Sequence, residues 1–375
     1  MQKGKGILLM RNLNLDKLSL EEKICQKIII GMDTPNAIDK IENLITKYRI
    51  GGILLYKKNY KNIEELINLI NHIKELNRKN NVPMFIAIDQ EGGRVNRLPN
   101  ELENIPAPYK LAKVENAKEY VQKAGRITGE MLHRLGFNMN FAPVLDIKRF
   151  PDNHAIGDRA FSENVEEVTE LGIEYMKKLQ ENQVVSVIKH FPGHGATNSD
   201  SHFKIPKIKE KINNLEEKDM KPFKKAIENG ADAVLVGHMR IKDITINPAS
   251  ISRRFIAKYL KKKYRFNGLV VTDDMRMKAM KYRFGANKSI IKAFEAGNDI
   301  IVFKYDKGIE VVNEVINMAK SGKLKINQID NSVNKILNIK DKYEINNDKI
   351  ELVDNEYIEK INEQIIEIRD KCKIK

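Results

Sequence analysis

Polar side chains that could do chemistry follow directly on several short apolar runs of the sequence. The runs FIAID, FAPVLD, VSVIKH, AVLVGH and GLVVTDD end in Asp89, Asp146, Lys189-His190, His238 and Asp273-Asp274. Charged groups at buried strand ends are costly unless they are paired or bind a ligand. Any one of them could simply cap a strand or form an ion pair, but their repetition predicts a polar, ligand-binding mouth.

The residue types at these positions favour chemistry on a sugar. Two carboxylates without a metal cluster suggest glycoside chemistry. Lys189 and His190 offer hydrogen-bond donors to sugar hydroxyls. The glycine-rich stretch that follows them contains Pro192 and predicts a loop that can bend over the mouth.

The elements that must position these groups are eight apolar, β-branched runs separated by stretches of helical periodicity. The runs are Lys27–Met32, Gly52–Tyr56, Met84–Asp89, Met139–Asp146, Val184–His190, Ala233–His238, Leu269–Asp273 and Asp299–Phe303. Eight buried strands alternating with helices are typical of a closed parallel barrel, whose catalytic groups lie at the carboxyl ends of the strands. An open doubly wound sheet is the alternative. Neither GxxxxGK[ST] nor GxGxxG follows a strand, so phosphate-cradling folds lose support.

The sequence therefore predicts an α/β fold, a single (β/α)₈ TIM-type barrel, as one catalytic domain. We expect residues 1–345 to form the barrel with its N-terminal lead-in, and residues 346–375 to form an amphipathic C-terminal helix or tail. Ile358, Ile361 and Ile365 recur there at helical spacing. That helix would pack on the barrel or on a partner.

Composition narrows the function classes. The 375 residues carry a net charge of +15, with basic residues interleaved with acidic ones along the whole chain, which indicates a solvated surface and no nucleic-acid partner. Cys25 and Cys372 are too few for a disulfide framework. No apolar run reaches the length of a membrane span, and the stretch Ile7–Met10 is too short for a signal-peptide core. We expect a cytoplasmic protein with no membrane partner. Secretion stays open if the start of the sequence is trimmed.

The segment KHFPGHGATNSDSH, Lys189 to His202, closely resembles the hallmark of the β-N-acetylhexosaminidases of glycoside hydrolase family 3, the bacterial peptidoglycan-recycling type. The segments IDQEGGRVNR, FAPVLDI, IGDRAFS, VGH and VTDDM match the same group in order and approximate spacing. The resemblance covers about residues 15 to 345. It implies an enzyme that removes N-acetylglucosamine from cell-wall fragments. We expect a small carbohydrate substrate, no cofactor or metal, and a monomer.

The resemblance also implies catalytic roles. Asp273, the first aspartate of VTDDM, would be the nucleophile that forms a glycosyl-enzyme with overall retention. Its neighbour Asp274 would be structural, since adjacent side chains at a strand end diverge. His202 would be the acid/base, and Asp200 would stabilise its imidazolium form.

Further residues would contact the sugar by the same resemblance. They are Asp89, Arg97, Arg159, Lys189 and His190. Asp89 would accept from ring hydroxyls, Lys189 and His190 would donate to them, and Arg159 would hold the loop or the N-acetyl side of the site. Asp146 matches a family position that could be purely structural.

Three rival readings stay open at this point. The same barrel could be a phosphorylase, since a histidine acid/base does not repel phosphate as a carboxylate would. A non-catalytic sugar-binding barrel would keep binding without turnover. A zinc hydrolase using His190, His194 and His202 is disfavoured, because a His-x₃-His pair suits zinc on a helix and the intervening Pro-Gly breaks any helix.

Overall fold

Eight strands form one parallel sheet in the computed structural model, which describes residues 13–35, 37–151, 153–197, 205–304 and 308–373. Each strand overlaps one of the eight apolar runs, so that prediction is confirmed. The bounds are β1 Ile28–Gly31, β2 Gly52–Leu55, β3 Phe85–Ile88, β4 Met139–Asn140, β5 Val185–Phe191, β6 Ala233–Val236, β7 Leu269–Thr272 and β8 Ile301–Lys304.

The strands pair in chain order, and the sheet curls back on itself. β1 pairs in parallel with both β2 and β8. β7 and β8 meet through a single parallel bridge between Val271 and Ile300. The sheet is therefore nearly closed, and the predicted (β/α)₈ barrel is confirmed over most of the chain. A separate two-residue pairing joins Lys207–Ile208 to Arg240–Ile241.

Helices surround the barrel. Their bounds are α1 Leu20–Gln26, α2 Ala37–Thr46, α3 Ile63–Leu76, α4 Pro108–Leu111, α5 Ala117–Arg134, α6 Val165–Glu181, α7 Ile212–Glu217, α8 Lys221–Glu228, α9 Arg253–Phe255 continued by a π-helical stretch Ile256–Lys263, α10 Lys278–Phe284, α11 Ala286–Ala296, α12 Gly308–Lys320, α13 Ile326–Lys342 and α14 Asn355–Lys371. A capping box begins α1, because the Ser19 hydroxyl accepts from Glu22 N–H and the Glu22 carboxylate accepts from Ser19 N–H. No helix of the described ranges is long and apolar enough to cross a membrane.

The alternation of side chains along each strand builds two apolar layers. Ile29 and Val271 point into the barrel interior, where they pack with Phe85. Ile28 and Ile30, one residue to either side on β1, pack outward among the helices. Both faces of each strand are buried, as expected for a parallel sheet covered by helices.

One helix closes the barrel at the amino ends of the strands. Ile336 and Ile339 of α13 join the interior apolar cluster. Lys340 on the same helix donates to the carbonyl of Gly51, directly before β2, and its Nζ lies 4.7 Å from the centre of the Phe85 ring. This floor leaves the mouth at the carboxyl ends of the strands as the open end.

The C-terminal helix packs on the barrel domain. Ile361, Ile365 and Ile368 of α14 are fully buried in the main apolar cluster. Lys123 of α5 donates to Glu367 of α14 at 2.6 Å. The amphipathic helix predicted from isoleucine spacing is present, and it lies against α5.

Candidate active site

Two adjacent aspartates follow β7 at the mouth of the barrel. The Oδ1 atom of Asp273 accepts from the backbone N–H of Asp274 at 2.8 Å. The Asp274 carboxylate has different partners, since its Oδ1 accepts from the N–H of Arg276 and its Oδ2 lies 3.9 Å from Lys304. Both aspartates line the same cavity.

The two aspartates differ in charge state. Burial raises the pKa of Asp273, but the nearby His238 and His190 imidazoles, the Asp274 N–H and the Lys189 ammonium group outweigh it, so the pKa lies below its ordinary value. Burial raises the pKa of Asp274 to about 6, and the Asp273 charge adds to the rise. Asp273 is therefore the more fully ionised of the two at neutral pH.

A fully buried histidine at the end of β6 supports the β7 turn. The Nε2 atom of His238 lies 3.0 Å from the carbonyl oxygen of Asp274, which can only accept, so Nε2 carries the proton. Its Nδ1 atom then accepts from the hydroxyl of Ser250 at 2.7 Å. Burial lowers the pKa of His238, in keeping with this neutral tautomer. His238 holds the backbone that carries Asp273.

The Lys189-His190 pair lies at the end of β5, and each member is bound to a carboxylate. Lys189 Nζ donates to Asp89 Oδ1 and to Glu91 Oε1, both at 2.6 Å. His190 Nδ1 donates to Asp146 Oδ2 at 2.7 Å. Its Nε2 atom lies 3.4 Å from Arg159 Nη2. Nε2 accepts when the ring is neutral and donates when the ring is protonated, so the predicted donation to a sugar hydroxyl stays a prediction.

Asp146 is fully buried and organises the loop after β5. Besides His190, its Oδ1 atom accepts from the backbone N–H of His194 at 2.6 Å. Burial raises the pKa of Asp146, but the charge and hydrogen bond of His190 outweigh it, and the pKa lies below its ordinary value. Asp146 thus positions two histidines at the cavity wall.

Glu91 connects the positively charged side chains of the site. Its two oxygens accept from Arg159 Nε at 2.7 Å and Nη2 at 2.8 Å, and Oε1 also accepts from Lys189. Burial raises the pKa of Glu91, but the Arg159 and Lys189 charges outweigh it and hold that pKa well below its ordinary range. Arg159 donates further to the carbonyl of Ala155 and approaches His190 Nε2 at 3.4 Å.

These groups line one cavity of about 470 Å³ at the carboxyl ends of the strands. All five predicted sugar contacts and the predicted nucleophile line it; they are Asp89, Arg97, Arg159, Lys189, His190 and Asp273. A volume of this size is typical of small-molecule sites. The predicted acid/base pair, Asp200 and His202, lies outside the described residues.

Sequence reasoning assigned no role to Glu91, although it quoted the segment that contains it. The signal available was a third acidic side chain shortly after β3, two residues beyond Asp89. It also assigned none to Tyr56, which follows β2 and lines the same cavity. In both cases the position after a strand indicated a place at the mouth. The contacts with Lys189 and Arg159 are needed to show that Glu91 holds these two cations.

In the part of the chain that the structure describes, no group of three or more His, Cys, Asp and Glu side chains is arranged to hold a metal ion. The carboxylates of the mouth instead accept hydrogen bonds from lysine, arginine, histidine and backbone groups. A barrel mouth with an ionised aspartate beside a wall of hydrogen-bond donors and acceptors is compatible with attack on a bound sugar, the chemistry of a glycoside hydrolase.

The comparison with known families agrees. The glycosyl hydrolase family 3 N-terminal domain matches residues 19–339, and the chain belongs to this family. The resemblance inferred from the motifs is therefore confirmed, and the chain is a glycoside hydrolase.

Individual relatives are similar over most of the chain. A protein of Hydrogenovibrio crunogenus named beta-hexosaminidase is 32% identical over 302 residues, which are 76% of this chain and 84% of that protein. The structure of a family 3 beta-N-acetylglucosaminidase from a Paenibacillus species has a TM-score of 0.87 at 31% identity, covering 95% of this chain and 69% of that one. A family 3 glycosyl hydrolase of Mycobacterium smegmatis has a TM-score of 0.79 at 27% identity, covering 87% and 98%.

Proposed function

We propose that this glycoside hydrolase is a retaining, exo-acting β-N-acetylhexosaminidase that removes non-reducing terminal N-acetylglucosamine from peptidoglycan-derived fragments. The observation that carries the proposal is the ionised Asp273 in a cavity whose wall presents Lys189, His190 and Arg159. Similar proteins named beta-hexosaminidase and beta-N-acetylglucosaminidase support the choice of sugar.

In the proposed first step, a carboxylate oxygen of Asp273 attacks the anomeric carbon. The bond from that carbon to the leaving oxygen breaks, and His202, as an imidazolium stabilised by Asp200, gives its proton to the leaving oxygen. In the second step water attacks the glycosyl-enzyme, neutral His202 accepts the proton of the water, and Asp273 is released. Two inversions give overall retention.

The wall of the cavity would hold the sugar for this attack. Lys189 and Arg159, fixed by Glu91, offer N–H donors, and Asp89 offers an acceptor. A terminal sugar with free hydroxyls matches such a set.

The first test is release of 4-nitrophenol from its β-N-acetylglucosaminide and its β-glucoside in phosphate-free buffer. We expect fast release from the acetylated sugar and a rate that does not depend on added phosphate. Release only on addition of phosphate would contradict hydrolysis and favour phosphorolysis. Binding of N-acetylglucosamine without turnover in either buffer would contradict the enzymatic proposal.

The nucleophile is tested by a pair of matched substitutions at adjacent aspartates. Asp273→Asn should lower kcat by at least about a thousandfold, because a covalent mechanism loses its nucleophile. Asp274→Asn keeps the acceptor for Arg276 N–H and should lower kcat by less than about tenfold. A larger loss at Asp274 than at Asp273 would reverse the assignment.

The acid/base is tested by leaving-group dependence. His202→Ala should slow hydrolysis most for poor leaving groups, because those need the proton in the transition state. Rates on 4-nitrophenyl and on alkyl N-acetylglucosaminides measure this. An equal loss on both would sink the assignment of His202.

We also propose a cytoplasmic monomer. The two cysteines, Cys25 and Cys372, form no disulfide with each other, which is compatible with a reducing compartment. Size-exclusion chromatography with light scattering and cell fractionation test the two parts separately. A dimer, or enrichment outside the cytoplasm, would contradict the corresponding part.

A further inference from the structure

His194 is a buried cavity-lining histidine to which the preceding mechanism gives no task. It lies in the short turn His194–Ala196 after β5 and is 4% exposed. Its backbone is held on both sides, because its N–H donates to Asp146 and its carbonyl accepts from Asn153 Nδ2 at 3.2 Å. The main chain therefore fixes where the ring lies.

The His194 ring makes no hydrogen bond to any residue that the structure describes. Within the described ranges of the chain, neither Nδ1 nor Nε2 of His194 has a partner, although both atoms are buried. The two other buried histidines of the mouth differ, since His190 and His238 have partners at both ring nitrogens. A buried polar group without a partner costs free energy, and such a group in a binding site calls for an explanation.

The surroundings of the ring indicate what it could bind. The His194 ring lies edge-on to His190, with centroids 6.1 Å apart, and both line the cavity that contains Asp273. Burial lowers the pKa of His194 to about 4, so the ring is neutral at neutral pH. A neutral imidazole has one N–H donor and one acceptor nitrogen, which suits a group that can also do both.

We propose that His194 contacts the substrate, with its imidazole hydrogen-bonded to a hydroxyl or to the acetamido group of the terminal sugar. The inference deepens the proposed function and rests on it for the identity of the sugar. In the complex, the sugar would supply the hydrogen-bond partner that Nδ1 or Nε2 of His194 lacks among the described residues. An anionic group is disfavoured there, because a neutral ring offers it no charge and Asp146 and Asp273 lie near.

The test uses the same substitution at two histidines. His194→Phe keeps a ring of similar shape and removes both nitrogens. We expect a ten- to hundredfold weaker binding of free N-acetylglucosamine by calorimetry and a matching rise in KM, with no fall in Tm, because no existing hydrogen bond is lost. The control His238→Phe should lower Tm, since Ser250 and the Asp274 carbonyl would lose their partners.

A second variant keeps the proposal open to contradiction if the phenylalanine packs badly. His194→Asn supplies one donor and one acceptor near the position of Nδ1 and should recover part of the lost affinity. Binding by His194→Phe within twofold of the parent protein would overturn the proposal. A lowered Tm with unchanged affinity would also overturn it, since it would make the ring structural.

Affinities for N-acetylglucosamine and for glucose distinguish the two possible contacts of His194. They also keep a failure of this proposal separate from a failure of the proposed function. An equal loss of affinity for N-acetylglucosamine and glucose assigns the contact to a shared hydroxyl, whereas a loss for the acetylated sugar alone assigns it to the acetamido group. If the parent protein binds sugars but hydrolyses no N-acetylglucosaminide, the proposed function falls while the binding comparison still decides the role of His194.

Discussion

Replacing Glu91 by glutamine tests whether a buried carboxylate behind the substrate wall sets substrate affinity. The substitution keeps the size and one carbonyl acceptor but removes the charge that Lys189 and Arg159 share. Lys189 and Arg159 would both stay in the site, with less negative charge near them to compensate their burial. Lys189 would keep only Asp89 as a carboxylate partner.

The magnitude follows from the contacts. Breaking a buried ion pair by removing one partner costs about 3–5 kcal/mol. Glutamine retains part of the hydrogen bonding, so we expect Glu91→Gln to lower the free energy of unfolding by about 3 kcal/mol at pH 7. A charge-assisted hydrogen bond contributes about 1.5–3 kcal/mol, so misplacement of one donor to the sugar should lower kcat/KM by about ten- to hundredfold.

The pH dependence of stability gives this prediction a sign. The pKa of Glu91 is lowered in the folded protein, so its contribution is fully present above the pKa of the unfolded chain, near 4.5, and is lost as pH falls through the folded value. The difference in stability between parent and Glu91→Gln should therefore shrink on acidification below pH 4.5. Urea unfolding at a series of pH values measures it.

A matched control is available on the surface. Glu130 pairs with Arg126 at 3.0 Å on α5, with both side chains about two-fifths exposed. Glu130→Gln should change stability by less than about 1 kcal/mol and leave KM unaltered. The reasoning is refuted if Glu91→Gln resembles this control, or if it loses stability while KM and kcat stay at parent values.

Three further substitutions test separate parts of the molecule. Asp146→Asn should lower kcat/KM by about a hundredfold or more, because the amide no longer fixes the tautomer of His190. It should also lower Tm, because the amide NH2 cannot accept from the backbone N–H of His190 or His194. An unchanged rate in steady-state kinetics would contradict this role. The pKa of Asp274 is raised to about 6, so the parent loses stability as pH rises through that value. Asp274→Asn lacks this titration and should become more stable than the parent over the same range, by up to about 3 kcal/mol. A constant difference from pH 4 to 8 in urea unfolding would argue against it. Lys340→Met removes the penalty of a buried ammonium group but also its hydrogen bonds to the Gly51 carbonyl and to Gln26, so the pH dependence of its effect is the diagnostic measurement. Burial lowers the pKa of Lys340 in the folded protein. The free energy of unfolding of the parent, relative to Lys340→Met, should therefore rise as pH increases through the folded pKa towards 10.5. A relative stability of the methionine variant that grows with pH would exclude this explanation.

The strands were predictable because their signal is local. Each of the eight runs is apolar on both faces, as a strand between barrel interior and helices must be. The polar residues after β3, β5 and β7 were predictable for the same reason, since position at the carboxyl end of a barrel strand places a side chain at the mouth. Run length was less informative: Met139–Asp146 contributes only two residues to β4. The division of the chain at residue 345 stays a prediction.

The partners of those side chains were not predictable from one sequence. Glu91 and Arg159 are 68 residues apart, and Lys189 and Asp89 are 100 apart. Which acid meets which base depends on the rotation of each strand and the path of each loop, and neither leaves a periodic pattern. The same limit applies to His190, whose Nδ1 contact with Asp146, 44 residues away, leaves no pattern in the sequence.

The adjacent aspartates illustrate how a fold can prepare one carboxylate for attack and not its neighbour. Both lie in the same turn and both are penalised by burial. Near Asp273, the His238 and His190 rings and the Lys189 ammonium group outweigh burial and lower its pKa. Asp274 has Lys304, Arg276 and the Arg276 N–H near it, but burial and the charge of Asp273 outweigh them, and its pKa stays raised. A nucleophile must be ionised and must keep a lone pair free. In the described residues the Asp273 carboxylate accepts one backbone hydrogen bond, at Oδ1, which leaves Oδ2 available to a sugar carbon. The electrostatics of the mouth thus favour Asp273 independently of any motif.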